Sequence, residues 1–322
     1  MCPLLLTAIS LIAQVSQDAG ATDPPDRAKP PTLTGRLLFH RYRAYDAWDS
    51  EIYLADFARK SLVCLSMNWP VDHAMNAQFS PDGKRVVFMA VPKREHERSR
   101  WDIYLSDIGA RTAPRNLTIG NGLCDEDPKF SPDGKTIVFK RDGRVAFMDL
   151  NGKHGRLLAG LEPGVEYSMP VLIANGKRVV AMTGARADGD LYSFAVPGGS
   201  RSPVAVTPGV LEYYPVPWTA DYLLYVRWQS AEIHNDQIYR HTWRDGMATP
   251  VRFSRPDTNN SDPCPVDDRW IIFSSTRGGG KGGYDLYLGD SRAGGVRALY
   301  FPEMNTSLEE LGACYQEARP GK

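Results

Sequence analysis

A hexapeptide that recurs down the chain constrains the fold more than any other feature. Phe79-Ser80-Pro81-Asp82-Gly83-Lys84 returns as Phe130-Ser131-Pro132-Asp133-Gly134-Lys135. Each copy precedes a short apolar run, Val86-Val87-Phe88 or Ile137-Val138-Phe139. The chemistry is that of a tight hairpin. Pro presets φ at the second turn position, and Asp-Gly supplies a side-chain acceptor followed by a residue that tolerates positive φ. Weaker copies are Asn175-Gly176-Lys177, before Val179-Val180, and Asp267-Asp268-Arg269, before Ile271-Ile272-Phe273.

A second signature accompanies the first: an acidic or polar residue, then an aliphatic and an aromatic one. It reads Glu51-Ile52-Tyr53, Asp102-Ile103-Tyr104, Val145-Ala146-Phe147, Asp190-Leu191-Tyr192, Gln237-Ile238-Tyr239 and Asp285-Leu286-Tyr287. The aromatic positions are separated by 51, 43, 45, 47 and 48 residues. A period of that length, with four short strands per unit, is the mark of a β-propeller. Six copies predict an all-β, six-bladed propeller with four-stranded antiparallel blades. The first unit lacks its first strand, because Gly35-Arg36-Leu37-Leu38-Phe39 matches the second strand of a blade. Leu311-Gly312-Ala313-Cys314-Tyr315 matches the innermost strand Asp127-Pro128-Lys129-Phe130. Docking of the C-terminal strand (311–316) into blade one is therefore expected to close the ring and remove an open sheet edge.

The two hexapeptides, the Asp-Leu-Tyr-type strands and the loop from Ser275 to Tyr284 resemble the WD-like repeats of the TolB-like propeller family, over roughly residues 35–316. The resemblance implies a periplasmic or secreted propeller, commonly a protein-interaction module. It says little about activity.

The N-terminal residues fit that compartment. The apolar run from Pro3 to Ala13 is too short to span a bilayer, and it leads into Ala19-Gly20-Ala21, a small-x-small cleavage pattern. Residues 1–21 read as a signal peptide, 22–34 as a Pro-rich linker and 35–318 as the propeller. No other segment could cross a membrane. Four cysteines would remain after cleavage, Cys64, Cys124, Cys264 and Cys314, in no zinc pattern and with no readable pairing. Lys plus Arg and Asp plus Glu both number 38, which argues against nucleic acid or an anionic membrane as partner. A monomer that binds another protein or an oligosaccharide is expected.

In a propeller the Ser-Pro-Asp-Gly turns share one rim. The opposite rim collects the longer loops, where binding residues concentrate. Candidate ligand-binding residues there are Arg41, Trp48, His73, Trp101, Glu126, Tyr167, Tyr213, Arg227, Trp228, His234, Asp262 and Arg277, with Arg94, His96 and Arg186 further along it. Acids near the axis with arginines and aromatics outside could grip a glycan or a peptide segment. A structural reading competes, because arginines after the second strand and acids before the third recur by blade and can pair between blades. The chemical alternative is a carbohydrate-active lyase or hydrolase on an acidic oligosaccharide, using His73, Glu126, Glu166 and Glu212. The six histidines have no metal-ligand spacing, so no metal or other cofactor is expected. Ca²⁺ or another divalent cation in an acidic axial collar is the one alternative. No Gly-x-Ser-x-Gly elbow occurs, which argues against a prolyl-oligopeptidase type of peptidase.

Overall fold

The computed structural model describes residues 28–93, 100–110, 112–184, 188–301 and 303–318. The segment expected to be a signal peptide, the first part of the expected linker, Arg94, His96 and Arg186 lie outside the described residues. Six four-stranded antiparallel sheets form the ring.

Blade one pairs β1 (Arg36–Tyr42), β2 (Glu51–Asp56) and β3 (Ser61–Cys64) with β24 (Glu309–Gln316), which is its innermost strand. Blade two comprises β4 (Val71–Phe79), β5 (Arg85–Pro92), β6 (Asp102–Asp107) and β7 (Arg115–Asn116). Blade three comprises β8 (Asp125–Phe130), β9 (Thr136–Arg141), β10 (Arg144–Asp149) and β11 (Arg156–Leu157). Blade four comprises β12 (Tyr167–Ile173), β13 (Arg178–Thr183), β14 (Asp190–Ala195) and β15 (Arg201–Ala205). Blade five comprises β16 (Glu212–Pro217), β17 (Tyr222–Trp228), β18 (Asp236–Thr242) and β19 (Ala248–Pro250). Blade six comprises β20 (Asn260–Pro265), β21 (Trp270–Ser275), β22 (Asp285–Asp290) and β23 (Val296–Ala298). All six repeated aromatics fall on third strands, and β24 docks where the repeat arithmetic placed it. Among the described residues no helix is long and apolar enough to cross a membrane.

The apolar runs are continuous rather than alternating because each sheet buries both faces against its neighbours. Val86, Val87 and Phe88 are all buried. Val87 packs toward Ile137 and Phe139 of blade three, whereas Val86 and Phe88 pack toward Leu38 and Ile52 of blade one. The two hexapeptide turns have the same hydrogen bonds. Ser80 Oγ donates to Asp82 Oδ1 (2.5 Å), and Asp82 Oδ1 accepts from Lys84 N (3.1 Å). Ser131, Asp133 and Lys135 repeat this at 2.6 and 3.1 Å. Gly83 and Gly134 sit at φ 72° and 69°, where a Cβ would be strained.

Ring closure involves more than the ladder between β1 and β24. Arg41 Nε donates to Glu310 Oε1 (2.8 Å), and its Nη2 donates to the carbonyls of Glu303 (2.5 Å) and Met304 (3.1 Å). At the other rim Gln316 Nε2 donates to Ser80 O (3.1 Å), fastening the end of β24 to the first hexapeptide turn of blade two.

Candidate functional site

The innermost strands carry a feature that decides what faces the axis. In each of them the pairing register slips near the middle, the sign of a β-bulge. One residue there takes a left-handed backbone: Asn76, Asp127, Met169, Tyr214, Asp262 or Gly312, with φ between 49° and 67°. An unbroken strand would turn alternate residues away from the axis. The bulge instead presents two in succession. Met75 and Asn76, Glu126 and Asp127, Ser168 and Met169, Tyr213 and Tyr214, Ser261 and Asp262 all line one axial cavity of about 590 Å³, with Leu311 from blade one. His40, Tyr42, Tyr45, Lys140, Glu166, Trp228, Asp236 and Tyr284 add to the wall, with Met89, Met182 and Leu211.

The left-handed residues lean onto neighbouring blades. Asp262 Oδ2 accepts from Gly312 N (2.9 Å), and Asp127 Oδ2 accepts from Met169 N (3.3 Å). Asn76 Nδ2 donates to Asp127 Oδ1 (3.0 Å). The first two bonds satisfy backbone donors that an innermost, unpaired edge would otherwise leave open. The Lys129 ammonium is buried 5.4 Å from the Tyr214 ring centre, and burial lowers its proton affinity against the opposing pull of Asp127.

The charge of the funnel is uneven. Five carboxylates and one lysine line it. Lys140 Nζ bridges Glu126 (2.9 Å) and Glu166 (2.7 Å), and its proton affinity is raised by both. Burial pushes Glu126 upward, with Asp127 adding to the effect and Lys140 opposing it. Asp236 is pushed up to about 7, mostly by burial, with the Tyr213 hydroxyl bond opposing and the Asp262 charge adding. Burial also raises Asp262 above the usual carboxylate range, despite the Gly312 N–H, the Ser261 hydroxyl and the Lys129 ammonium. Tyr42, Tyr213 and Tyr284 crowd these two acids, and burial raises all three phenols.

The sequence candidates divide into three groups. Glu126, Glu166, Tyr213, Trp228 and Asp262 come together on the funnel wall. Arg41, Arg227 and Arg277 belong to a bracket inside their own blades. Arg41 pairs with Glu310, Arg227 faces Glu212 at 3.7 Å, and Arg277 Nη2 donates to Asn260 Oδ1 (2.6 Å). Arg141 with Asp125 completes the set at 2.7 Å. Each of these guanidiniums lies over an aromatic ring of its blade, Tyr53, Tyr239, Phe273 or Phe139, at 4.3–5.0 Å. Glu212 is fully buried in its bracket, and Tyr167 is buried with its hydroxyl accepting from Glu162 N (3.0 Å). The third group gathers at the seam of blades one and two. His73 is enclosed by Tyr45, Trp48 and Trp101, with ring centres at 5.7, 5.0 and 5.1 Å. Its Nδ1 accepts from Ser50 N (3.3 Å), Nε2 has no partner, and burial lowers its pKa to about 4. His234 lies apart, stacked on Trp228 at 3.8 Å on an exposed loop.

Asp236 and Tyr284 escaped the sequence reading. Gln237, not Asp236, aligns with the acids that open the other third strands, so Asp236 falls one residue out of phase and on the opposite strand face. That offset was the available signal. Among the described residues no group of three or more His, Cys, Asp or Glu side chains could hold a metal ion.

The architecture defines a six-bladed β-propeller with an axial cavity. More narrowly, the fold is that of the TolB-like propellers. A TolB from Acinetobacter baumannii superposes with a TM-score of 0.65 at 16% identity, over 89% of this chain and 67% of that one. Kuenenia stuttgartiensis hydrazine synthase superposes at 0.69 and 12% identity, over 89% of this chain and 47% of that one. A chain of a nidogen–laminin complex gives 0.63 and 12%, over 87% and 97%. No protein-family profile matches the sequence. In sequence the chain is similar to dipeptidyl-peptidase 5 of Arthroderma otae, 20% identical over 124 residues. That stretch is 37% of this chain, and spans only 17% of the relative's length. Likeness at these identities carries the fold alone.

Proposed function

We propose that the chain is an exported binding module, periplasmic or secreted, that receives the protruding end of a partner protein or of an oligosaccharide in its axial funnel. The observation that carries this reading is the cavity of about 590 Å³ built from paired residues of successive blades. Its wall mixes aromatic, methionine and carboxylate side chains, a surface that offers both apolar contact and oriented acceptors. The propeller in the nidogen–laminin structure belongs to a protein–protein complex, which supports a binding role for this architecture. The test is selection of peptide and glycan ligands on the purified chain, followed by Met169→Trp, which fills the funnel, and Asp133→Ala on the opposite rim. Binding should fall about tenfold or more with the first and stay unchanged with the second. A ligand indifferent to Met169→Trp overturns the proposal.

A second reading, a carbohydrate-active enzyme, is favoured by one observation. Asp236 retains its proton to about pH 7 beside a second acid, Asp262, the kind of pairing from which a general acid and a base are drawn. The surplus of carboxylates weighs against an acidic oligosaccharide as substrate, since like charges repel in a low-dielectric funnel. His73 and Glu212 lie behind the wall, leaving Glu126 and Glu166 of the original candidates. Release of product from neutral oligosaccharides that Asp236→Asn abolishes would replace the first reading with this one.

A further inference from the structure

The floor of the funnel is asymmetric. Five of the six left-handed axial residues carry a side chain, and the sixth, Gly312, has none. The ring of His40 stands in its place: a Cβ on Gly312 would fall 2.4 Å from His40 Nδ1. His40 is 4% exposed, lines the funnel and stacks on Tyr42 at 5.7 Å. Its Nδ1 is buried and has no hydrogen-bond partner. A buried polar atom left unmatched is costly, and at the wall of a cavity its natural partner is a donor on a ligand. Asp262 and Asp236 line the same cavity and interact with each other, and no lysine or arginine lies within ion-pair distance of either among the described residues. The aromatic rings of Tyr42, Tyr213 and Tyr284 surround these acceptors.

We propose that this floor is a site for a primary ammonium group, held by the carboxylates of Asp262 and Asp236 and by Nδ1 of His40, with the attached carbons against Tyr42, Tyr213 and Tyr284. The inference rests on the funnel being the binding site. An –NH₃⁺ group has three N–H donors and no acceptor, which matches three acceptors; Lys129, whose charge reaches Asp262, forms no ion pair with either acid among the described residues. The electron-rich ring faces attract the same charge. His40 suits the role because burial, with His73 adding, lowers its pKa to about 3 and keeps the ring an acceptor. Asp236 faces Tyr213, Asp262 and Tyr284, and near neutral pH it is partly protonated. An arriving ammonium stabilises its ionised form, so the Asp236 O–H bond ionises, its proton passes to solvent or buffer, and no other covalent bond changes. The ammonium can be the end of a lysine side chain, the start of a peptide or the substituent of an amino sugar, and the probes below separate these sources.

The test is calorimetric titration of the full chain with 1,5-diaminopentane, α-blocked lysine amide, triglycine amide and glucosamine trimer, each against its fully N-acetylated counterpart. At least one amine should bind, with its acetylated form weaker by about tenfold or more, as expected for the loss of charge-assisted hydrogen bonds. Asp262→Asn keeps a carbonyl to accept from Gly312 N and so preserves the floor. It should weaken the amine about tenfold, and Asp236→Asn should abolish the proton release seen between buffers of different ionisation enthalpy near pH 7. Equal binding of amine and acetylated forms, or an unchanged Asp262→Asn, overturns the ammonium site. If no amine binds while an uncharged ligand does so in a Met169→Trp-sensitive way, the ammonium site fails and the funnel stands. If no ligand responds to Met169→Trp, both fail.

Discussion

Removing the Arg41 guanidinium should show how much of the ring depends on its seam. Glu310 is fully buried and the Arg41 side chain 9% exposed, so water can replace neither partner. Arg41→Ala deletes the 2.8 Å pair, leaves the carbonyls of Glu303 and Met304 without their donor, and removes the cation 4.3 Å above the Tyr53 ring. Glu310 would keep the bonds from Thr306 N and Oγ1 but lose its only countercharge among the described residues. Burial already raises the proton affinity of Glu310 more than Arg41 and Thr306 lower it, so the variant should hold a proton there. Breaking one side of a buried pair costs about 3–5 kcal/mol, and near-complete burial leaves little solvent screening to discount. That is a large part of the roughly 5–15 kcal/mol that stabilises a typical domain. Urea unfolding followed by tryptophan fluorescence reads the loss as a lower midpoint. Arg41→Met combined with Glu310→Met should recover most of it, because a matched apolar pair leaves no stranded charge. A loss below about 1 kcal/mol for Arg41→Ala, or no recovery in the double variant, would refute the reasoning.

Three further outcomes are expected. Asp236 binds its proton up to about pH 7 in the fold against 3.8 as an ordinary Asp, so its contribution to stability falls as pH rises between those values. Asp236→Asn should therefore stabilise the chain at pH 8 by at most about 4 kcal/mol and leave it unchanged near pH 3.5; an equal gain at both pH values would contradict the assignment. His73 behaves in the opposite sense: the unfolded chain takes up a proton from pH 6.5 downward while the fold resists to about 4, so stability is full above 6.5 and is lost through that window. Up to about 3 kcal/mol of the acid loss should disappear in His73→Asn, measured by unfolding at pH 7 and pH 4.5. Gly312→Ala forces a Cβ to 2.4 Å from His40 Nδ1 at φ 67°, and should cost about 2–4 kcal/mol, part of it recovered by adding His40→Ala.

Blade count and ring closure were legible because they rest on turn chemistry and periodicity, which are local. Phe-Ser-Pro-Asp-Gly-Lys can do little but make a hairpin, and the aromatic of each third strand marks a fixed place in its blade. The funnel was harder to read because its pattern depends on a bulge that five of the six blades build without glycine. Asp127, Met169, Tyr214 and Asp262 carry no local mark of a left-handed backbone, although Pro follows each of them. Without the bulge, strand alternation assigns Asp125 and Asp127 to one face, yet Asp125 is locked to Arg141 and Asp127 looks into the cavity. The arginines misled for a related reason. Their recurrence signalled pairing as much as binding, and only coordinates show the carboxylate at 2.8 Å behind Arg41. Asp236 was hidden by a single-residue offset in an otherwise regular repeat.

The bulge also divides labour along each inner strand. Its first residue, such as Asp125, Glu212, Asn260 or Glu310, braces the blade, while the next two face the cavity and meet neighbouring blades chiefly through backbone donors. Cavity side chains that make no bond to a neighbouring blade, such as those of Met169 and Leu311, can therefore be exchanged with little disturbance to the sheets. A lineage carrying this scaffold could reshape the cavity one blade at a time, keeping a folded ring at every intermediate. Those exchangeable positions would diverge fastest and the braces slowest.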